Sequence, residues 1–191
     1  MAYIAEMFVY AGQIKKFNKE DWLVYLAWVG MIFGLFLIVS SFLAIGHFNG
    51  ISYPIYVWNI PLGIFIFSTA IAFDTIGHRT TYKEDLQRAE ALVHHVTIFA
   101  GIVSTLLLCL SYHFPVFLRI PTMVFLLLSV LYSIIDEAFH WHRYWNKASD
   151  RVEMTAHFFI SVGHLIMIMA WWKWFDEGYV GVTETLKHLP L

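Results

Sequence analysis

Four long stretches of the chain contain no Asp, Glu, Lys or Arg, and this feature most limits the folds open to the sequence. They run from 22 to 47, 51 to 73, 91 to 118 and 154 to 172, and a shorter stretch from 120 to 135 becomes long enough if Arg119 lies at a membrane surface. A helix needs about 20 apolar residues to cross the hydrocarbon core of a bilayer. The sequence therefore predicts an all-α integral membrane protein with five transmembrane helices rather than a soluble helical core.

The composition supports this prediction. Charged residues make up 14% of the chain, whereas soluble domains carry about a quarter. We expect a cytoplasmic N-terminal segment over residues 1–21, a single transmembrane domain over 22–175 with repeat halves at about 53–112 and 116–175, and a C-terminal tail over 176–191. The first segment lacks the early positive charge of a cleavable signal, and either a short amphipathic surface helix or a frayed end is expected there.

The basic residues are distributed unevenly between the two predicted membrane faces. One face carries the N-terminus and the loops after the second and fourth spans, and it holds nine of the twelve: Lys15, Lys16, Lys19, Arg79, Lys83, Arg88, Arg143, Lys147 and Arg151. The other face holds Arg119, Lys173 and Lys187, beside a predicted aromatic belt at 171–175. The positive-inside rule therefore predicts a cytoplasmic N-terminus in an inner or cytoplasmic membrane. The bilayer is the expected partner, and no basic cluster indicates nucleic acid.

Acidic residues and histidines recur in two similar patterns where the predicted spans meet on the cytoplasmic side. Each half of the chain reads Asp-x-x-x-His at the end of one span, then a polar connection, then Arg-x-Glu-x-x-x-His at the start of the next. The aspartate and histidine pairs are 62 residues apart and the glutamate and histidine pairs 63 apart. The members are Asp74, His78, Glu90 and His94 in the first half, and Asp136, His140, Glu153 and His157 in the second.

The predicted topology brings all eight residues to one depth near the cytoplasmic surface. Residues i and i+4 share a helix face, so each span can direct one carboxylate and one imidazole towards a common axis. Two hairpins entering from the same side would be related by a pseudo-twofold axis along the membrane normal. We therefore predict that spans 2–5 form a four-helix bundle from two repeated helical hairpins, with span 1 outside. Four purely structural acid–histidine pairs are the alternative.

The residue types indicate a metal site in this bundle. Carboxylates and imidazoles without a thiolate suit iron or manganese, with zinc and copper as alternatives. The only cysteine, Cys109, lies in mid-span. Eight ligands exceed the four of a tetrahedral zinc, so the pattern predicts two metal ions bridged by carboxylates. On span 4 the carboxylate ligand is either Asp136 or Glu137, because Glu137 lies three residues before His140.

This ligand pattern resembles the ferritin-like di-iron carboxylate proteins, whose four-helix bundles use a Glu from two helices and Glu-x-x-His from the other two. The resemblance covers spans 2–5, but three helices here have a longer spacing and every helix offers a histidine. It implies a di-iron oxidoreductase or oxygenase of the hydroxylase or desaturase type. The expected substrate is a lipid, fatty acyl chain or other hydrophobic molecule, with a separate electron donor. A zinc-dependent membrane lipid hydrolase and a non-enzymatic metal-ion carrier or sensor are the alternatives.

One histidine is predicted to lie deeper than the others. His164 follows His157 by seven residues on the same face of span 5, about 10 Å further into the bundle. Its counterpart in the first half is Gly101, so space is expected opposite the imidazole. We predict a substrate or oxygen pocket there, with His164 as a catalytic contact rather than a ligand; a buried histidine bonded to a neighbouring helix is the alternative. The other histidines are predicted to lie outside the ligand set: His47, His95, His113, His142 and His188.

Overall fold

The computed structural model describes residues 2–81, 88–146 and 150–189, and all regular secondary structure within these ranges is helical. The predicted loop positions Lys83 and Lys147 lie outside the described residues. The α-helices are α1 (Ala2–Gly12), α2 (Lys19–Phe48), α3 (Asn59–Thr80), α4 (Arg88–Leu110), α5 (Pro115–Trp145), α6 (Arg151–Asp176) and α7 (Val182–Leu186). Short 3-10 helices cover Gln13–Lys16 and Ile55–Trp58.

Five of these helices, α2 to α6, are long and apolar enough to cross a membrane. The prediction of an all-helical chain with five such helices is therefore confirmed. Side chains cap the starts of α2 and α6, which begin before the charge-free stretches. At the start of α2, for example, the Asn18 side chain accepts a hydrogen bond from the backbone N–H of Asp21, and the Asp21 carboxylate accepts one from that of Asn18.

Small residues allow α3 to pack closely against α6. A Cβ on Gly63 would lie 2.5 Å from the backbone nitrogen of Met167, and one on Gly163 would lie 2.6 Å from that of Phe67. No Cβ fits at these distances, so the two glycines permit backbone-to-backbone contact.

A second close pair is formed by α4 and α5, and small side chains on both helices are buried. These are Ala100, Ser104, Ser111, Thr122 and Ser129. The hydroxyls of Ser111 and Thr122 lie 3.2 Å apart. The close pairs thus join helices from different predicted hairpins. Within the described residues the backbones of α3 and α4 do not pack against each other, and α5 and α6 pack less extensively than either close pair.

The residues of the predicted metal site lie at the end of the molecule where α3 and α5 finish and α4 and α6 begin, called here the site end. Helix α1 covers part of it: Tyr10 is buried against Ile76 and Val152, whereas Phe8 is exposed. An ion pair between Arg79 and Asp21, 2.5 Å long, joins the end of α3 to the start of α2. The site end is therefore held together by contacts outside the predicted ligands.

At the opposite end, the predicted tail folds back onto the helices. Thr185 in α7 is buried and shares a hydrogen bond with the hydroxyl of Tyr53. Gly181 has φ 89°, and a Cβ there would lie 2.8 Å from the Tyr53 ring. This segment covers part of the predicted aromatic belt, so Trp171 and Trp174 are buried in the core instead of lining the surface.

Candidate metal centre

Four helices bring the predicted ligands together at the site end. Helix α3 contributes Asp74 and His78, α4 contributes Glu90 and His94, α5 contributes Asp136, Glu137 and His140, and α6 contributes Glu153 and His157. His140 is 1% exposed and Glu153 is fully buried. Ionisable side chains inside an apolar helix assembly are costly unless they have partners. Their partners therefore show how the group is organised.

Three of these residues form a first triad between α3 and α6. An oxygen of Asp74, Oδ1, lies 2.9 Å from Nε2 of His157 and 3.5 Å from Nε2 of His78. The i, i+4 spacing places Asp74 and His78 on one face of α3, and the close packing of α3 on α6 brings His157 to the same carboxylate. The first triad is thus one carboxylate facing two imidazoles.

A second triad has the same composition and lies between α4 and α5. Asp136 places Oδ2 3.2 Å from Nδ1 of His94 and Oδ1 3.9 Å from Nε2 of His140. The repeated pattern relates the two triads, because Asp74, His78 and His157 of the first correspond to Asp136, His140 and His94 of the second. Each triad therefore draws its members from both halves and joins one of the two closely packed helix pairs.

The two triads are adjacent. The rings of His140 and His157 stack with centroids 3.3 Å apart, and the ring of His78 lies 6.1 Å from that of His140. Potential ligand atoms form two groups, and within each group all of the atoms lie within 4.8 Å of one another. One group is His78, His140 and His157, and the other is His94, Asp136 and His140, so His140 belongs to both. One imidazole nitrogen can bind only one metal ion. A given nitrogen of His140 can therefore complete one group or the other, but not both.

The polar atoms of the second triad fit a cation. Within the described residues, Oδ1 of Asp136 and Nε2 of His140 have no hydrogen-bond partner although both are buried. Their 3.9 Å separation is too long for a hydrogen bond. A carboxylate oxygen and an imidazole nitrogen that converge in this way can both donate electron pairs to one metal ion.

Arg143 contacts two of the predicted carboxylate ligands, Glu90 and Glu153. Its Nη1 lies 2.7 Å from Oε1 of Glu90, and its Nη2 donates to Oε1 of Glu153. Glu153 Oε1 also lies 3.1 Å from Nδ1 of His140. From the sequence, Arg143 was interpreted only as a surface charge. Its spacing was informative, since it follows Asp136 by seven residues and His140 by three and therefore shares their helix face.

Asp136 and Glu137 occupy different places. Asp136 belongs to the second triad, whereas Oε2 of Glu137 lies 3.9 Å from Nδ1 of His157 in the first triad. His157 therefore has Asp74 at one ring nitrogen and Glu137 near the other.

His164 lies on α6, two turns beyond His157. It is 6% exposed, its Nε2 lies 3.5 Å from the hydroxyl of Ser129, and its ring centroid lies 5.8 Å from that of Phe67. A Cβ on Gly101 would meet nothing within 4 Å. By the same offsets, Phe67 on α3 corresponds to Ser129 on α5, and His164 on α6 corresponds to Gly101 on α4. A pair of large side chains between α3 and α6 thus corresponds to a pair of small residues on α5 and α4.

The exposure of the histidines is uneven. The side chains of His94 and His78 are 26% and 14% exposed, whereas His157 is 4% exposed. The more exposed members belong to α4 and α3, whose backbones do not pack against each other within the described residues. Two other histidines have hydrogen-bond partners on their own helices or helix ends: His95 lies 2.5 Å from the carbonyl of Ala91, and His142 lies 3.1 Å from Asn146.

Comparison of the chain with protein-family models, with curated proteins and with solved structures finds no match.

Proposed function

We propose that the protein is a membrane-bound oxidoreductase that uses two metal ions, favoured as iron, to oxidise a hydrophobic substrate. The observation that carries this proposal is the pair of adjacent triads, each made of two histidines and one aspartate. Two histidines and one carboxylate that leave coordination positions open are the usual ligand set of non-haem Fe(II) oxygenases. The first ion would be held by Asp74, His78 and His157, and the second by Asp136, His94 and His140.

The chain's own residues would supply binding, orientation and a dry environment. Iron bound at the triads supplies the activation of O2, which the side chains alone do not provide. Asp74 and Asp136 would neutralise the ions, and the stacked His140 and His157 would fix the spacing of the two triads. Burial excludes water and strengthens the electrostatic interactions within the site. An electron donor is also required, and we propose that a separate protein fulfils this role.

The substrate would approach from the bilayer between α3 and α4, where the exposed edges of His78 and His94 lie. His164 is buried two turns beyond His157 on α6, and Gly101, 63 residues earlier on α4, has open space where a Cβ would lie. We therefore assign His164 the role of substrate contact. A lipid or fatty acyl chain fits this approach because it can extend along the helices without leaving the hydrocarbon region.

The proposal includes a four-helix bundle of α3 to α6 with the site end and the N-terminus in the cytoplasm. The asymmetry of basic residues supports this orientation. It can be tested with single cysteines at positions 83 and 187 in a Cys109→Ala background, labelled on intact cells by a membrane-impermeant reagent. Labelling at position 187 alone is expected, and labelling at position 83 alone would reverse the orientation.

A zinc-dependent lipid hydrolase is the second candidate, and one observation favours it. The nitrogens of His78, His140 and His157 can all approach one ion. Three histidines with a fourth position open form a common catalytic zinc site. In that arrangement a single ion would use His140, and the second triad would be incomplete.

Metal analysis after anaerobic purification tests the proposal. We expect about two iron ions per chain in the wild-type protein, and O2 uptake when the reduced protein is given membrane lipid. A matched variant in which Asp74 and Asp136 are both replaced by Asn should bind neither ion. One tightly bound zinc and no reaction with O2 would favour the hydrolase. Absence of any stoichiometric metal would overturn both functions.

A further inference from the structure

We propose that Arg143 is a positioning residue of the metal centre, and that Glu90 and Glu153 are its partners rather than metal ligands. This inference rests on the proposed function, because it concerns how the same two ions are held. The side chain of Arg143 is 11% exposed and lies between a glutamate of α4 and a glutamate of α6. A guanidinium presents several donors in a fixed plane, so one arginine can hold two carboxylates at once.

The arginine acts on the second triad through Glu153. One oxygen of Glu153, Oε1, contacts both Nη2 of Arg143 and Nδ1 of His140. The other ring nitrogen of His140, Nε2, faces Asp136. Histidines that bind metals usually donate their second ring N–H to a carboxylate or carbonyl, which fixes the ring and the nitrogen available to the metal. Glu153 occupies that position for His140.

Arg143 also contacts His140 directly. Nη2 of Arg143 is 2.6 Å from Nδ1 of His140, and both nitrogens converge on the same oxygen of Glu153. The guanidinium can only donate, so Nδ1 accepts from Arg143 in one tautomer of His140 and donates to Glu153 in the other. Nε2, which faces Asp136, can bind a metal only in the second tautomer, with the Nδ1 proton donated to Glu153.

A parallel arrangement surrounds His157 in the first triad. Its Nε2 faces Asp74 at 2.9 Å and its Nδ1 faces Glu137 at 3.9 Å. In both triads an aspartate lies at Nε2 of one histidine, and a glutamate from a different helix lies on the Nδ1 side. The glutamates therefore form an outer layer around the histidines, and Arg143 binds two of its members.

Arg143 also places a positive charge between the two glutamates. Glu90 and Glu153 are both buried and carry one negative charge each when ionised. Two buried carboxylates without a cation would be strongly unfavourable, and the single guanidinium contacts both and offsets one of their two negative charges. Both ions can therefore bind in the Asp–His–His triads while the two glutamates stay with Arg143.

The test compares variants of the full-length protein in anaerobic titrations with ferrous iron, using Cu(II) as an electron paramagnetic resonance probe. Glu153→Gln and Arg143→Gln should each still bind two ions at saturation, but with affinity for the second ion lowered about 10- to 100-fold. Their Cu(II) spectra should change because His140 is no longer held in one orientation. Arg143→Lys keeps the charge but not the planar fork, and should restore part of the affinity.

Arg79→Gln is the matched control. Arg79 also lies in the last turn of a membrane-length helix and pairs with a buried aspartate, Asp21, that belongs to neither triad. This variant should keep the wild-type affinity and spectrum even if its stability falls. If Arg143→Gln does not fold, Arg143→Gln combined with Glu90→Gln removes the excess negative charge and gives the same measurement.

Four results would overturn the inference. Glu153→Gln or Glu90→Gln that loses an ion even at saturating iron would make that glutamate a ligand. Wild-type affinity and spectrum in Arg143→Gln would remove its positioning role, and so would an equal change in Arg79→Gln. A wild-type protein that binds no iron, copper or zinc overturns the proposed function first, and this inference with it.

Discussion

The two triads contain the same residue types, yet they differ in closeness and in exposure. In the first triad Asp74 lies 2.9 Å from His157 and 3.5 Å from His78. In the second, the corresponding distances from Asp136 are 3.2 Å to His94 and 3.9 Å to His140. His94 is 26% exposed, whereas its counterpart His157 is 4% exposed. In the other pair the order is reversed, with His78 14% and His140 1% exposed, so each triad has one exposed histidine and the more exposed of the two, His94, lies in the second triad.

The difference follows from the helix pairs that carry the triads. Gly63 and Gly163 bring the backbones of α3 and α6 into contact, which closes the first triad. The α4–α5 pair is also close, but it is joined through small polar side chains, and the backbone of α4 does not pack against that of α3 in the described chain. Two equal ligand sets can thus differ in access, and we expect the first ion to be retained and the second to exchange and meet the substrate.

The largest effect is expected when one aspartate at a time is replaced. Asp74→Asn should remove the buried ion and Asp136→Asn the accessible one, because an amide cannot neutralise a cation. Each variant should therefore bind about one ion instead of two, as measured by elemental analysis. Activity should disappear in Asp136→Asn. If either variant lost both ions, the two triads would form one inseparable centre and the comparison would fail.

A smaller effect is expected in the wild-type protein treated with a chelator. The ion of the second triad should leave faster than that of the first, by on the order of tenfold, because the apolar shell around a site controls solvent access to it. Release would be followed by the absorbance of a ferrous chelator complex, and two phases of equal amplitude are expected. His94→Gln should remove the fast phase and leave the slow one. A single phase in the wild-type protein would show equivalent sites.

Much of this organisation could be predicted from the sequence. Charge-free stretches of bilayer length predict helices that can cross a membrane, because crossing depends on length and apolarity alone. Helical periodicity and the repeated offsets selected the residues now found in both triads. These signals operate along single helices, where spacing fixes which side chains share a face.

The partners across helices could not be predicted in the same way. Arg143 lies on the face of Asp136 and His140, but an arginine at the end of a span is equally explained by lipid headgroups. The contacts of Asp74 with His157 and of Asp136 with His94 depend on which helices pack closely, and that choice depends on glycines whose role is visible only in three dimensions. The burial of Trp171 likewise depends on a C-terminal segment that carried no strong pattern.

An effect on turnover, without loss of metal, is expected at His164. Replacing it with Phe removes the polar group that faces Ser129 while leaving both triads intact. The loss of one hydrogen bond to a substrate, about 1.4 kcal/mol, corresponds to a rate reduction of about tenfold. Lipid-dependent O2 uptake by the reduced protein measures this rate, and iron content serves as the control. Loss of iron would make His164 a ligand, and unchanged uptake would leave it a packing residue.

The smallest effect concerns the helix pairs themselves. Gly163→Ala places a Cβ 2.6 Å from the backbone of Phe67 and must push α6 away from α3. Overpacking of this kind costs about 1–3 kcal/mol. Gly101→Ala meets nothing within 4 Å and should be neutral or stabilising by up to about 1 kcal/mol, since alanine favours the helix.

Thermal unfolding in detergent measures the stability of both variants, and the rate of chelator-induced metal release from the same samples connects the packing to the triads. Gly163→Ala should separate Asp74 from His157, so the slow phase of metal release should become faster and approach the rate of the fast phase. Gly101→Ala should leave both release phases unchanged. Equal unfolding temperatures and unchanged release in the two variants would mean that close packing of α3 on α6 does not cause the difference between the triads.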